Sequence, residues 1–168
     1  MNKFFLLIAI AGIITFGSCQ STEDIVTTID CDFDTVSVPS AEIDSINNYL
    51  TANSITATKD ERGFYYIIDT VGSEDRIENC FDVNVDYKVY LFDGSYVDVG
   101  TGVTLRASKV IRGFAFGLTQ IGKQGKIKLF LPPTLAYGAT GSYPAIGPNE
   151  YLIYEITLNN LVKNDSNY

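Results

Sequence analysis

The sequence contains no histidine and no tryptophan among its 168 residues. Without imidazole, neither a Ser-His-Asp triad nor a Cys-His pair can be assembled, and the commonest ligand for zinc and other transition metals is missing. No glycine-rich phosphate loop occurs, since the 14 glycines are scattered through turns. Basic blocks are absent too: 12 Lys and Arg stand against 20 Asp and Glu, for a net charge of −8. Such a chain repels phosphate, which disfavours both nucleic-acid binding and electrostatic adsorption to anionic headgroups. Carboxylates are plentiful, but they sit mainly in turns and at strand ends, where solvation accounts for them. Neither a conventional hydrolase nor a metal or cofactor site is expected.

Long hydrophobic runs are equally scarce. The one extended apolar segment, Phe4 to Phe16, falls short of the roughly 20 residues that a spanning helix needs. It follows Met1-Asn2-Lys3 and precedes Gly17-Ser18-Cys19, the layout of a secretory signal peptide over residues 1–18. The small residues directly before Cys19 resemble the lipobox of bacterial lipoproteins, with Phe16 where that motif usually has Leu. The resemblance implies acylation of Cys19 as the mature N-terminus; a plain cleaved signal and an uncleaved anchor are the alternatives. Removal of residues 1–18 takes away Lys3 and no acid, so −8 becomes −9. With adsorption disfavoured, a covalent lipid is the more credible tether to a membrane. Residues 19–38 are polar and without sustained period, as in a linker that lifts a domain from a surface. Glu23 and Asp24 fit a solvated linker, and a surface-sorting signal is the sharper alternative. Setting Cys19 aside leaves Cys31 and Cys80 as a candidate disulfide pair in an oxidising compartment, or else as two separate thiols. A bond between them would close a loop of about 50 residues and stabilise by roughly 4 kcal/mol on chain-entropy grounds.

With 46% hydrophobic and 19% charged residues, the chain can bury one ordinary core. After Pro39, Ser40 reads as an N-cap, and Ile43, Ile46 and Leu50 recur at helical spacing, which predicts a helix from Ser40 to about Ala52 whose apolar stripe needs a partner surface. Thr56 to Lys59 and Phe64 to Thr70 read as strands flanking the turn-like Asp60-Glu61-Arg62-Gly63. Asp82 to Phe92 alternates Val83, Val85, Tyr87, Val89 and Leu91 against polar partners, the period of a half-buried strand. Asp93-Gly94 then signals a hairpin, and Tyr96 to Val99 begins the return strand. Lys126 to Leu131 and Tyr151 to Leu161 are further strands, the former stopped by Pro132-Pro133. Only Arg112 to Gln120 looks helical between them, and Gly113 and Gly117 weaken it unless it is packed. The sum is a mostly antiparallel sheet curled over one short helix, an α+β domain.

Two stretches carry a specific resemblance. VIRGFAFGLTQIGKQGKIKLFLPPTLAYGATGSYPAIGPNEYLIYEITL, Val110 to Leu158, is similar to the C-terminal half of FKBP-type peptidyl-prolyl cis-trans isomerases, with their Val-Ile-x-Gly-Trp, Ala-Tyr-Gly and Ile-x-Pro-Asn motifs in order. VDYKVYLFDGSYVD, Val85 to Asp98, resembles the family's hairpin around Leu-x-Asp-Gly. The resemblance implies an FKBP-like antiparallel half-barrel over residues 62–162, preceded by a helical extension at 39–61 and followed by a polar tail at 163–168.

Carried over position by position, it implies a proline pocket. Tyr87, Asp98, Ile111, Phe114 and Tyr137 would act on the substrate, and Val97, Val110, Ile146 and Tyr154 would line its binding site. Phe114 stands where the family usually has Trp, keeping an apolar ring of smaller area. Val97 replaces a usual Phe, and the shortened segment Val99 to Lys109 leaves Thr101 or Val103 nearest to a missing aromatic wall. Gln124 replaces a turn glycine. The implied activity is isomerisation of X-Pro bonds in proline-containing unfolded or partly folded proteins of a bacterial cell envelope, without cofactor. An FKBP-fold binding module that isomerises poorly is the main competitor. A structural lipoprotein that makes contact through the helix at Ser40 to Ala52 is the third reading.

Overall fold

The computed structural model describes residues 36–75 and 82–162. The signal segment, Cys19, the tether up to residue 35, Cys31, Cys80 and the 163–168 tail lie outside the described residues. The elements run α1 (Ser40–Ala52), β1 (Thr58–Lys59), β2 (Tyr65–Thr70), β3 (Asp82–Leu91), β4 (Tyr96–Arg106), α2 (Arg112–Leu118), β5 (Lys126–Leu131) and β6 (Leu152–Val162). Short 3-10 turns at Ala107–Lys109 and Pro133–Leu135 precede α2 and follow β5. The six strands form one sheet in the order β1-β2-β5-β6-β3-β4, and every neighbouring pair is antiparallel.

Strand alternation explains the inner face. Val83, Val85 and Val89 of β3 are fully or almost fully buried, as are Ile127, Leu129 and Leu131 of β5. Against them lies α2, whose residues Gly113 to Leu118 are all buried. Its two glycines have a packing reason. A Cβ on Gly113 would lie 2.7 Å from the Leu131 side chain, and one on Gly117 would lie 2.3 Å from that of Leu129, so the helix backbone sits directly on β5.

Outward-facing residues of the same strands divide by position. At one end Tyr65 and Phe130 are buried under α1, whose Ile46 and Leu50 form a second core cluster with them. Tyr49 of α1 stacks on Phe92 at 4.1 Å between ring centroids. The stripe predicted to need a partner surface therefore has one, the back of the sheet. Its start differs from expectation: Pro39 is the N-cap and supplies no side-chain bond, while Ser40 is already helical. The Pro39 carbonyl instead accepts from the N–H groups of Glu42 and Ile43.

The hairpin between β3 and β4 forms at Asp93-Gly94, with Gly94 at φ +87° and the Ser95 N–H bonded to Asp93 Oδ1 at 2.8 Å. Gln124 adopts φ +65° in place of the turn glycine. Its backbone N–H donates to Leu158 and its side-chain amide to the Asn159 carbonyl, which holds it in the left-handed region.

The turn from Asp60 to Gly63 is closed by one ion pair, whose arginine ties it to α2. Arg62 Nε and Nη2 donate to the two Asp60 carboxylate oxygens at 2.8 and 2.9 Å. The guanidinium lies over the rings of Phe116 at 4.6 Å and Phe64 at 5.6 Å. Burial works to raise the Asp60 pKa, but the side-chain and backbone hydrogen bonds from Arg62, with its charge, outweigh it and hold the carboxyl below its ordinary value. In the unfolded chain Asp60 binds its proton at a higher pH than in the folded one. Its stabilising contribution is thus complete above about pH 4 and is lost as pH falls through the lowered folded value. Asp60→Asn is expected to cost about 1–3 kcal/mol at pH 7. Urea unfolding should show that gap narrowing below about pH 4. Gly117→Ala should also destabilise, because about 1–3 kcal/mol of overpacking against Leu129 exceeds the roughly 1 kcal/mol that alanine gains in helix propensity. The thermal midpoint of that variant checks it.

Candidate functional site

The inner face of the sheet and the segment entering α2 converge on a small cavity. Tyr87 points inward from the middle of β3, between Val85 and Val89, by the same alternation that buries those valines. Gly100 lies opposite Tyr87 on β4, and a Cβ there would fall 2.4 Å from the tyrosine ring, so only glycine lets the ring lie across that strand. Tyr154 comes from β6, paired with Val89 and Leu129. Phe114 comes from the first turn of α2, held at depth by the glycine contact with β5. The three rings pack edge to face or tilted: Phe114 to Tyr154 at 5.4 Å, Tyr87 to Phe114 at 6.3 Å and Tyr87 to Tyr154 at 6.4 Å.

Around this trio is a cavity of about 250 Å³, below the roughly 300–1,000 Å³ of clefts for drug-sized ligands. Of the nine predicted pocket residues, seven line it: Tyr87, Asp98, Val110, Ile111, Phe114, Tyr137 and Tyr154. Val97 and Ile146 do not. Val97 is half-buried against the main core, and Ile146 is a buried member of it. Leu105 and Lys109 line the cavity although neither was predicted. β4 runs on to Arg106 past two glycines, and its alternation carries the inward side from Val103 to Leu105. That continuing alternation was the available signal for Leu105. Neither Thr101 nor Val103 supplies the wall; Thr101 faces a groove elsewhere.

Polar groups at the cavity are few and mostly tied. Tyr87 Oη donates to Asp98 Oδ2 at 2.9 Å, and the Val99 N–H donates to Asp98 Oδ1 at 2.8 Å, which fixes the carboxylate although it is exposed. Burial, then the bond to Asp98, raises the Tyr87 phenol above its ordinary value. Burial pushes Tyr154 much further up, with smaller contributions from Tyr137, Tyr87 and Asp98 facing it. The Ile111 N–H, just ahead of α2, meets no acceptor among the described residues. The site thus offers an apolar, ring-walled recess, one anchored carboxylate, and donors from Ile111 and Tyr137. It can grip a small apolar ring and hold carbonyls beside it, and it presents no activated nucleophile.

A larger groove, about 420 Å³, opens on the charged half of the sheet among Lys88, Lys126, Lys128, Asp69 and Glu155. Tyr87 contributes a single ring to its lining, and Lys128 and Glu155 neutralise each other across it at 2.8 Å.

The sequence pattern of the FKBP-type peptidyl-prolyl cis-trans isomerases matches residues 74–159. The chain is 38% identical over 100 residues to the FKBP-type peptidyl-prolyl cis-trans isomerase FkpA of Escherichia coli K12, an overlap of 57% of this chain and 37% of that protein. A probable FKBP-type isomerase of Haemophilus influenzae is 34% identical over 100 residues, 57% of this chain and 42% of its own. The chain thus spans about two fifths of the length of the curated relatives it matches. Among solved structures, the crystal structure of Escherichia coli FkpA superposes with a TM-score of 0.65 at 30% identity, covering 73% of this chain and 60% of that one. A peptidyl-prolyl isomerase from Pseudomonas syringae pv. tomato shares the fold, with a TM-score of 0.64 at 24% identity over 76% of this chain and 99% of its own. With more than half its length matching the family pattern, its motifs in family order, and an FKBP-like antiparallel sheet wrapped on α2, this chain belongs to the FKBP-type peptidyl-prolyl cis-trans isomerase family.

Proposed function

We propose that the chain accelerates rotation about X-Pro bonds of exported or envelope proteins, and that the cavity walled by Tyr87, Phe114 and Tyr154 is where it does so. The observation that carries this reading is the three-ring recess with Asp98 anchored at its edge. Rotation is slow because amide resonance must be broken, at a barrier of about 18–20 kcal/mol. Resonance places negative charge on the amide oxygen. An apolar recess that excludes water therefore favours the twisted, less charge-separated transition state, with no nucleophile or metal. Every 1.36 kcal/mol of such selective stabilisation is a factor of about ten in rate.

In this reading the prolyl ring rests on Phe114, with Tyr87, Val110 and Tyr154 as walls and Val97 and Ile146 supporting them from the core. The Ile111 N–H and the Tyr137 hydroxyl hold substrate carbonyls. Asp98, oriented by Tyr87, stands beside the rotating amide. The recess sits at the end of a lipoprotein: signal peptide 1–18, acylated Cys19, a tether to residue 38, the helical extension 39–61, the isomerase domain 62–162 and a polar tail. A pairing of Cys31 with Cys80 belongs to the same reading.

One observation favours a second reading, a binding module of low catalytic power. The floor is Phe rather than the larger Trp, and Val97, in place of Phe, lies outside the cavity lining. The third reading, a structural lipoprotein that makes contact through the helix at Ser40 to Ala52, would use the exposed face of α1, because its apolar face packs on the sheet.

Proline-limited refolding assayed with residues 20–168 separates the first two. The wild-type chain should accelerate the slow phase, while Asp98→Val and Phe114→Ala should each lose about tenfold or more in kcat/KM with folding retained by circular dichroism. No acceleration at high protein concentration would favour the binder. For the anchor, detergent-phase partitioning of the full chain in a bacterial host should be lost in Cys19→Ala; unchanged partitioning overturns the lipid.

A further inference from the structure

Outside the family-matched region, the Glu42 side chain of α1 is tied to the turn that leads to Tyr137. Glu42, in the first turn of the helix, lies 92 residues from Thr134 and holds it twice. The Thr134 N–H donates to Glu42 Oε2 at 3.0 Å, and the Thr134 hydroxyl donates to Oε1 at 2.8 Å, both partly buried. Thr134 is the central residue of the 3-10 turn Pro133–Leu135. Its N–H is one of the first donors of the turn, which no carbonyl within the turn can satisfy. Beyond it the backbone closes on Pro133: the N–H groups of Ala136 and Gly138 both donate to the Pro133 carbonyl at 2.9 Å. Tyr137 stands between those two, and its own carbonyl accepts from Gly141 at 3.1 Å. The backbone carrying the Tyr137 hydroxyl to the cavity is thus a closed turn whose entry is pinned by Glu42. α1 is in turn seated on the sheet by Ile46, Leu50 and the Tyr49–Phe92 stack, so the pin is anchored to rigid structure.

We infer that Glu42 is a positioning residue for Tyr137, through which the N-terminal helix sets the geometry of the proline pocket. The inference rests on the reading of that cavity as an X-Pro site. Glu42 touches no substrate and acts only through the Thr134 turn. Without it, Thr134 turns to water and the turn loosens, which displaces the hydroxyl that holds a substrate carbonyl. Misplacement of a contact by about 1 Å is enough to lower turnover severalfold.

A double-mutant cycle on the full folded chain tests it, with kcat/KM and Kd for a prolyl tetrapeptide as readouts. Glu42→Ala should lower kcat/KM and weaken Kd about three- to tenfold in the wild-type background, and by less than about 1.5-fold in a Tyr137→Phe background, where the positioned hydroxyl is gone. Glu42→Gln, which keeps one acceptor oxygen, should fall between wild type and Glu42→Ala, and it replaces alanine in the cycle if alanine fails to fold. Asn48→Ala, on the exposed side of α1, should leave both readouts unchanged. A merely structural role would lower the thermal midpoint and act equally in both backgrounds, which overturns the inference while leaving the isomerase reading intact. A wild-type chain that binds the peptide without turning it over overturns that reading instead, and coupling in Kd then decides the role of Glu42. A chain that neither binds nor isomerises overturns both.

Discussion

The contact between α2 and β5 governs the depth of the cavity and therefore what the cavity can do. Gly113 and Gly117 let the helix backbone rest on the Leu131 and Leu129 side chains, at distances where any Cβ would collide. Glycine costs about 1 kcal/mol per position in a helix interior, so a seven-residue helix with two of them would not persist alone. It persists because all six of its residues from Gly113 to Leu118 are buried, and side chains such as Phe116 and Leu118 contribute about 1.5–3 kcal/mol each on burial. The price in propensity fixes Phe114 at the floor, within edge-to-face reach of both Tyr87 and Tyr154. A side chain at either glycine would lift the helix and open the recess.

The same logic shows which features were legible in the sequence. β3 was plain because one face is apolar and the other polar along its whole length, and the Asp93-Gly94 hairpin was plain because Gly94 supplies the positive φ that the turn requires. β5 breaks its alternation at Phe130, which faces outward yet is buried, because α1 covers that end of the sheet. No local pattern could announce this, since the cover comes from about 80 residues earlier. β4 beyond Val99 was obscured by Gly100 and Gly102 and by register shifts against β3. Local alternation therefore does not extend to Leu105 and leaves Thr101 and Val103 as the nearest candidates for the wall. The cap at Ser40 was misplaced by one residue because Pro39, with a polyproline-like φ of −56° and ψ of 138°, already presents its carbonyl to the first turn.

At the site, motif order indicated which residues converge, whereas the division between lining and support needed coordinates. Ile146 belongs to the buried core and Val97 packs against it, so any influence of theirs on the recess passes through packing, where volume changes of one methylene are felt. The electrostatics were less legible still. Asp98 reads as a solvated strand-end acid, and it is indeed exposed. What distinguishes it is the pair of donors, Tyr87 Oη and the Val99 N–H, that fix both oxygens. A carboxylate held this way is preoriented without being desolvated, so its field at the cavity edge comes at little cost in burial.

Two different chemistries share one sheet. Its inner face is dry and closed by α2, and the outer face is dry only where α1 lies. Elsewhere the outer face of the central strands β5 and β6 carries Lys126, Lys128 and Glu155 into water. The division lets a strongly acidic chain keep a ring-lined recess open, because apolar exposure at the recess is limited to a cavity of about 250 Å³. On the proposed reading the recess takes a prolyl ring from a locally unfolded segment, since a cavity of about 250 Å³ is smaller than the clefts that hold drug-sized ligands.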